Sequence, residues 1–227
     1  MKKTTQLLAA LLATAASLSV QAAFVYQNDF EVNAAGMSGA GAQVSSEGFN
    51  AYGFGKQYFR NSAAGNPATS SVLGFNLSGA ATGVTLSFDL AVLDSWDGFN
   101  CCGPDMFNVK VDGVSIYSKN FSIFDGPSSG SELVALVYGP NLAVAGWGDA
   151  GYSLNFSLGN LAVGAHTIEF FASGAVWQAG DDESFAIDNL TVQARSIDQG
   201  NQVPEPESFG LVALALAGLA LTRRRTR

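Results

Sequence analysis

Carboxylates near the two ends of the mature chain carry the sharpest chemical signal. Asp29 and Glu31 stand in "QNDFEV", and Asp188 stands in "DDESFAIDNLTV". If the second stretch is a strand, Ala186, Asp188, Leu190 and Val192 share one face, and Phe185 and Ile187 share the other. Asp188 is then in phase with apolar residues, where a charge is unfavourable unless it is paired or bound to a cation. Between residues 23 and 202 the cations are only Lys56, Lys110, Lys119, Arg60 and Arg195. A hard ion such as Ca²⁺, which takes carboxylate and backbone oxygens, answers that problem. The alternative is a metal-free Asp188 that accepts hydrogen bonds from backbone amides.

A second acidic group lies in "LDSWDGFNCCGPDMF", where Asp94, Asp97 and Asp105 surround Trp96. Three carboxylates in one loop could hold a further Ca²⁺, although the strict spacing of an EF-hand is missing. A solvated acidic turn is the plainer reading. Asp94 and Asp97 could also act as a glycoside-hydrolysing pair, since that chemistry asks for two carboxyl groups flanking one bond. No other catalytic set supports an enzyme. The lone histidine, His166 in "AHTIEFF", has no Gly-x-Ser-x-Gly elbow to serve and cannot make a zinc site alone. The protein is therefore expected not to be an enzyme.

Trp96, Trp147 and Trp177 all fall in loop-like contexts, where indole faces could stack on sugar rings. Each could equally pack at the core edge with its N–H satisfied. Cys101 and Cys102 are adjacent and are the only cysteines. An exported location would permit a disulfide between them that stiffens the loop before Gly103. Neighbouring Cα atoms sit only ~3.8 Å apart, so such a bond is strained. A reduced pair or an intermolecular link are the rivals.

The elements that position these groups read as strands. In "GVTLSFDLAVLD", Val84, Leu86, Phe88, Leu90 and Val92 alternate with Thr85, Ser87, Asp89 and Ala91, a period of two. "MFNVKVDGVSIYS" places Asp112-Gly113 between two alternating runs, a strong hairpin signal. "GYSLNFSLGN" and "AHTIEFFASG" read as another pair, "SFAIDNLTVQA" as the last strand, and Ala34 to Gly48 as a long loop. Outside the two terminal segments no window has a helical period. The expected fold is all-β, a β-sandwich of jelly-roll type.

The termini read as addresses. Lys2 and Lys3, the apolar stretch from Leu7 to Val20 and the small residues of Val20-Gln21-Ala22 make residues 1–22 a signal peptide helix for signal peptidase. At the other end, Val203-Pro204-Glu205-Pro206 precedes a 13-residue apolar run, Phe209 to Leu221, and a basic tail with Arg223, Arg224, Arg225 and Arg227. As a helix that run spans about 20 Å, short of a ~30 Å hydrocarbon core, so it suits a signal better than a permanent anchor. The arginines would stay cytoplasmic, consistent with an exported body. The body, residues 23–202, then carries five cations against 17 acids, a net charge of −12. That balance argues against nucleic acid as a partner, and it fits divalent cations, neutral glycans or simple solubility.

In its three-part order, residues 203–227 resemble the PEP-CTERM sorting signal of Gram-negative bacteria. The resemblance implies recognition by exosortase, processing near Pro204-Glu205-Pro206, transient anchoring in the inner membrane and a destination at the cell surface or in an extracellular polysaccharide matrix. The first and last strands resemble the ends of MAM domains and of jelly-roll carbohydrate-binding modules. In those, a structural cation joins an Asp-Phe-Glu-type first strand to an Ile-Asp-Asp/Asn last strand. Carried over by position, the resemblance implies Asp29, Glu31 and Asp188 as ligands. The Ser-Trp-Asp-Gly loop together with the "DESFAIDN" ending also resembles uncharacterised PEP-CTERM proteins. The joint expectation is a non-enzymatic exported protein, calcium-stabilised and polysaccharide-binding, with a glycan hydrolase using Asp94 and Asp97 as the alternative.

Overall fold

The computed structural model describes residues 22–100, 102–142 and 146–198. The expected signal peptide up to Gln21, Cys101, and the sorting segment with Pro204, Glu205, Pro206, its short helix and Arg223, Arg224 and Arg225 lie outside the described residues.

Among the described residues the chain forms thirteen strands and one 3-10 turn, Phe49–Tyr52. The strands are β1 (Ala23–Asn28), β2 (Met37–Gly39), β3 (Ala42–Ser45), β4 (Gln57–Asn61), β5 (Ser71–Leu77), β6 (Ala81–Asp94) and β7 (Met106–Val111). They continue with β8 (Val114–Asn120), β9 (Leu133–Tyr138), β10 (Ala150–Leu161), β11 (Gly164–Ser173), β12 (Glu183–Ala194) and β13 (Ser196–Ile197). One sheet runs β3-β4-β12-β6-β10-β9, with β1 also on β12 and β13 also on β6; the other runs β2-β5-β11-β7-β8. Every strand pair is antiparallel. From β4 onward the chain steps repeatedly from one sheet to the other, the connectivity of a jelly-roll sandwich.

The alternation of β6 explains the core. Val84, Leu86, Phe88, Leu90 and Val92 are all buried between the sheets, where Phe88 meets Phe107, Phe156 and Phe170 at centroid distances of 6.1, 6.0 and 5.2 Å. Each such side chain contributes about 1.5–3 kcal/mol on leaving water. The opposite face of β6 is covered as well. Ala91 and Leu93 pack with Ala186, Phe49, Phe54 and Tyr58 in a second, smaller cluster under the 3-10 turn.

The Asp112-Gly113 hairpin forms as expected, with φ of 50° and 77° at the two residues and Val111 opposite Val114. Three local expectations are corrected. The stretch from Ala34 to Gly48 is not one loop, since β2 joins the second sheet at β5 and β3 joins the first at β4. Gly39 and Gly41, with φ of 79° and 110°, let the chain turn between the two edges. β10 and β11 do not pair with each other; they follow in sequence but lie in different sheets, on β6 and β9 and on β5 and β7. Finally, strict alternation fails in β12. The register shifts after Asp188, where Asn189 takes φ 49°, so Leu190 and Val192 join Phe185 and Ile187 in the main core. Asp188 remains fully buried at that bulge.

Candidate functional site

β6 ends at Asp94, whose φ of 67° turns the chain out of the sheet. The loop that follows is pinned by Trp96. Its indole is fully buried, Nε1 donates to the Ser184 carbonyl at 2.8 Å, and its ring meets the edge of Trp177 at 5.1 Å. Ser184 belongs to the start of β12, where Glu183 lies opposite Asp94. The tryptophan thus ties the loop to the strand that carries Glu183.

The loop closes on itself. The Asp97 N–H donates to Asp105 Oδ2 at 2.7 Å, and the Asp105 N–H donates back to the Asp97 carbonyl at 3.2 Å. Asn120 Nδ2 donates to the carbonyls of both residues, each at 2.7 Å. Asp97, Asp105 and Glu183 are thereby brought together: each has a carboxylate oxygen within 4.8 Å of those of the other two, and all three residues are buried. A single Ca²⁺ with oxygen ligands at 2.3–2.6 Å spans up to about 5 Å between opposite ligands, so the separation fits one such ion.

The electrostatics are unfavourable without a counter-charge. Glu183 Oε2 accepts the Gln178 N–H at 2.6 Å. Asp105 Oδ1 and Glu183 Oε1 are buried with no hydrogen-bond partner. Burial pushes the Glu183 carboxyl well up, and the nearby Asp105 and Asp97 push it further. Asp105 is also raised, by burial, against the pull of the Asp97 amide. Burial and the charge of Asp182 raise Asp97. None of the ion pairs among the described residues involves these three side chains.

Above this cluster lies a groove of about 750 Å³ lined by Ser95, Asp97, Cys102, Phe124, Trp147, Val176, Gln178 and Asp182. Trp147 and Phe124 are 50% and 52% exposed and meet edge to face at 6.4 Å. Of the three tryptophans expected to face a ligand, only Trp147 presents its ring there. Trp96 belongs to the core, and Trp177 is half-buried with Nε1 donating to the Ala63 carbonyl at 2.9 Å. Their N–H groups find carbonyl partners, which is what lets a loop tryptophan turn inward. The expected partner of Cys102 is Cys101, which lies outside the described residues.

The expected trio of Asp94, Asp97 and Asp105 is therefore rearranged. Asp94 is buried at the strand end with its N–H on Asp149 Oδ1 at 2.9 Å, and Glu183 takes its place beside the other two. Glu183, Asp182 and Phe124 are the site residues that sequence reasoning missed. "DDES" advertises the two acids, but only the register of β12 on β6 shows that Glu183 meets the Asp97 loop.

The other expected trio is brought together in part. Asp188 Oδ2 accepts the Gly55 N–H and Oδ1 the Asn189 N–H, both at 2.7 Å. Half-buried Glu31 accepts the Gln57 N–H at 2.9 Å. Gly55 lies against both carboxylates, and any side chain there would overlap that of Glu31. Burial pushes Asp188 up to about 6 in spite of its two amide bonds, and the charges of Asp89 and Glu31 add to the rise. Asp29 is exposed, with Oδ1 accepting the Glu31 N–H at 3.2 Å.

Residues 202–225 match the PEP-CTERM protein-sorting motif. That motif implies an exported protein held transiently at the membrane. No curated protein matches the chain. Among solved structures, the chain is similar to a family 35 carbohydrate binding module from an environmental isolate, at 17% identity over 76% of this chain and 92% of that one, TM-score 0.40. It is also similar to the CBM35 from Cellvibrio japonicus Abf62, at 14% identity over 81% and 100%, TM-score 0.39. A third is the CBM22-1 xylan-binding domain from Paenibacillus barcinonensis Xyn10C, at 8% identity over 77% and 96%, TM-score 0.37.

Proposed function

We propose that this protein is a non-enzymatic, polysaccharide-binding component of the cell surface or extracellular matrix of a Gram-negative bacterium. Its signal peptide ends at Ala22, its sandwich occupies residues 23–202, and exosortase processes it near Pro204-Glu205-Pro206. The observation that carries the binding reading is the groove in which exposed Trp147 and Phe124 stand beside Asp97 and Asp182. An aromatic face takes the apolar side of a sugar ring, while carboxylates accept its hydroxyls. Calcium between Glu31 and Asp188 belongs to the same proposal, as a tie between the segment after β1 and the last long strand. What supports it is that the carboxylates of Glu31 and Asp188 both border Gly55, with Asp89 and Glu31 repelling the charge on buried Asp188. A vicinal Cys101–Cys102 bond would stiffen the groove wall at Cys102.

The hydrolase alternative loses its original pair, because Asp94 is fully buried and does not line the groove. Its two carboxyl groups would have to be Asp97 and Asp182. The test uses protein recovered from its native host, weighed to establish that residues 1–22 and the C-terminal arginines are gone. A glycan array and a broad glycoside-hydrolase screen follow. Binding without turnover is expected, weakened at least tenfold in Trp147→Ala. Turnover that disappears in Asp97→Asn would replace this reading with the hydrolase.

A further inference from the structure

We propose that Asp97, Asp105 and Glu183 form a buried site for a hard divalent cation of the calcium class, lying under the groove floor. This site is separate from the Glu31–Asp188 tie; it shares Asp97 with the groove but does not rest on which ligand the groove takes.

Convergence of three acids would not by itself make a site. The second observation is how their oxygens are used. Asp105 and Glu183 each have one oxygen held by a backbone amide, Asp97 N–H on Asp105 Oδ2 and Gln178 N–H on Glu183 Oε2. The remaining oxygens, Asp105 Oδ1 and Glu183 Oε1, are buried, on fully buried residues, and receive no donor; the two carboxyls lie close enough to hydrogen-bond each other only if one is protonated. The amides therefore fix both carboxylates in orientation while leaving one acceptor on each for something that is not an N–H. A buried acceptor left in that state costs about 1–3 kcal/mol, and more when it is charged. Gly174 borders the first of them: a Cβ there would lie 2.5 Å from Asp105 Oδ1. The site is thus built from rigid parts, with Trp96 fastening the Asp97 loop to β12 and Asn120 clamping the loop ends.

The donor set decides the class of ion. All three ligands are carboxylates, with no imidazole or thiolate to favour zinc or copper. The one histidine is committed to Asp112 and the Ala162 carbonyl. Mg²⁺ keeps several waters and wants near-ideal octahedral geometry, whereas Ca²⁺ accepts an irregular set of buried carboxylates. Asp97 also lines the groove, so the cluster adjoins it. The rival occupant is a proton shared between Asp105 and Glu183, which would neutralise the pair without any metal.

The test uses the host-exported protein, stripped with a chelator and titrated with Ca²⁺ and with Tb³⁺. Tb³⁺ at this site should be sensitised by excitation of Trp96, and Ca²⁺ should quench that luminescence by displacement. At a hundredfold excess of Ca²⁺ over its Kd, the melting temperature should rise by about 5–10 °C. Asp105→Asn and Glu183→Gln should each weaken binding by at least tenfold and flatten the thermal response. In chelator both variants should melt no lower than the parent, because each removes a repelling charge, so loss of binding would not reflect misfolding. Asp188→Asn should keep the Tb³⁺ signal. The proposal is overturned if the parent shows no Ca²⁺ response, if both triad variants respond like the parent, or if only Asp188→Asn loses it.

Discussion

Glu183 and Asp188 stand five residues apart on one strand, and both are fully buried. Asp188 sits at a bulge whose twisted backbone turns the Asn189 N–H onto it, and Gly55 supplies a second amide from the covering segment. Glu183 sits in regular register opposite Asp94 and receives one amide, from Gln178. One carboxylate is therefore solvated by the backbone on both oxygens, and the other on one. The difference shows how a sandwich with few lysines and arginines handles interior charge. At the bulge, peptide dipoles reach both oxygens of Asp188; in the regular ladder one oxygen of Glu183 is left over, the position the proposed cation would take.

The largest expected effect comes from removing what holds the Asp97 loop to β12. Trp96→Ala deletes a fully buried indole, its bond to the Ser184 carbonyl and its contact with Trp177. A loss of about 3–5 kcal/mol in denaturant unfolding is expected. Calcium affinity at Glu183 should fall with it, while Asp188 keeps its amides. If Trp96→Ala unfolds at the parental midpoint, the loop is held by something else.

Next in size is Asp188→Ala. It removes the acceptor of the half-buried Gly55 and Asn189 N–H groups, at about 1–3 kcal/mol each, so a loss of about 3 kcal/mol is expected in chelator. The contrast with Glu183→Ala, which removes the acceptor of one amide instead of two and should lose about half as much in chelator, is the sharpest form of the comparison. Equal losses at the two positions in chelator would erase the distinction.

These two carboxylates also show how far the sequence was legible. That Asp188 is a buried acid in the last long strand follows from its apolar neighbours and the scarcity of cations. Its face does not, because a period-two count has no sign of the Asn189 bulge that moves Leu190 and Val192 to the other side. The alternation of β6 and the Asp112-Gly113 turn were readable because both are local. Glu183 meeting Asp97 and Asp105 was not, because it depends on the register of strands far apart in the chain. The short strands β2 and β3 escaped for a different reason. They are edge strands of three and four residues, each with a single apolar side chain on a core cluster, Met37 and Val44, too short for a period of two to show.

Asp112 is the calibrating case, a carboxylate in this acidic body that does have a cationic partner. His166 Nδ1 lies 2.7 Å from Asp112 Oδ2, and Nε2 lies 2.9 Å from the Ala162 carbonyl. Both neighbours are acceptors, so only the doubly protonated imidazolium satisfies both. Burial alone would lower the His166 pKa, but the bonds to Asp112 and Ala162 outweigh it and the net shift is upward. For Asp112, burial pushes up, while the bonds from His166 and the Thr167 amide win and hold it below the ordinary range. A raised histidine contributes stability that is complete below its unfolded value, about 6.5, and is lost as pH rises through the folded one. A lowered aspartate contributes above about 3.9 and loses that contribution as pH falls through its folded value. The pair should therefore stabilise most between about pH 4 and 6.5, by less than ~1 kcal/mol because Asp112 is 42% exposed and solvent screens it. With one histidine in the chain, a single proton-NMR titration reads it directly. The midpoint should lie above about 6.5 and fall to or below that value in Asp112→Asn. A parental midpoint at or below 6.5 would mean that burial dominates even here, and that proximity to a carboxylate is a weaker force in this sandwich than desolvation.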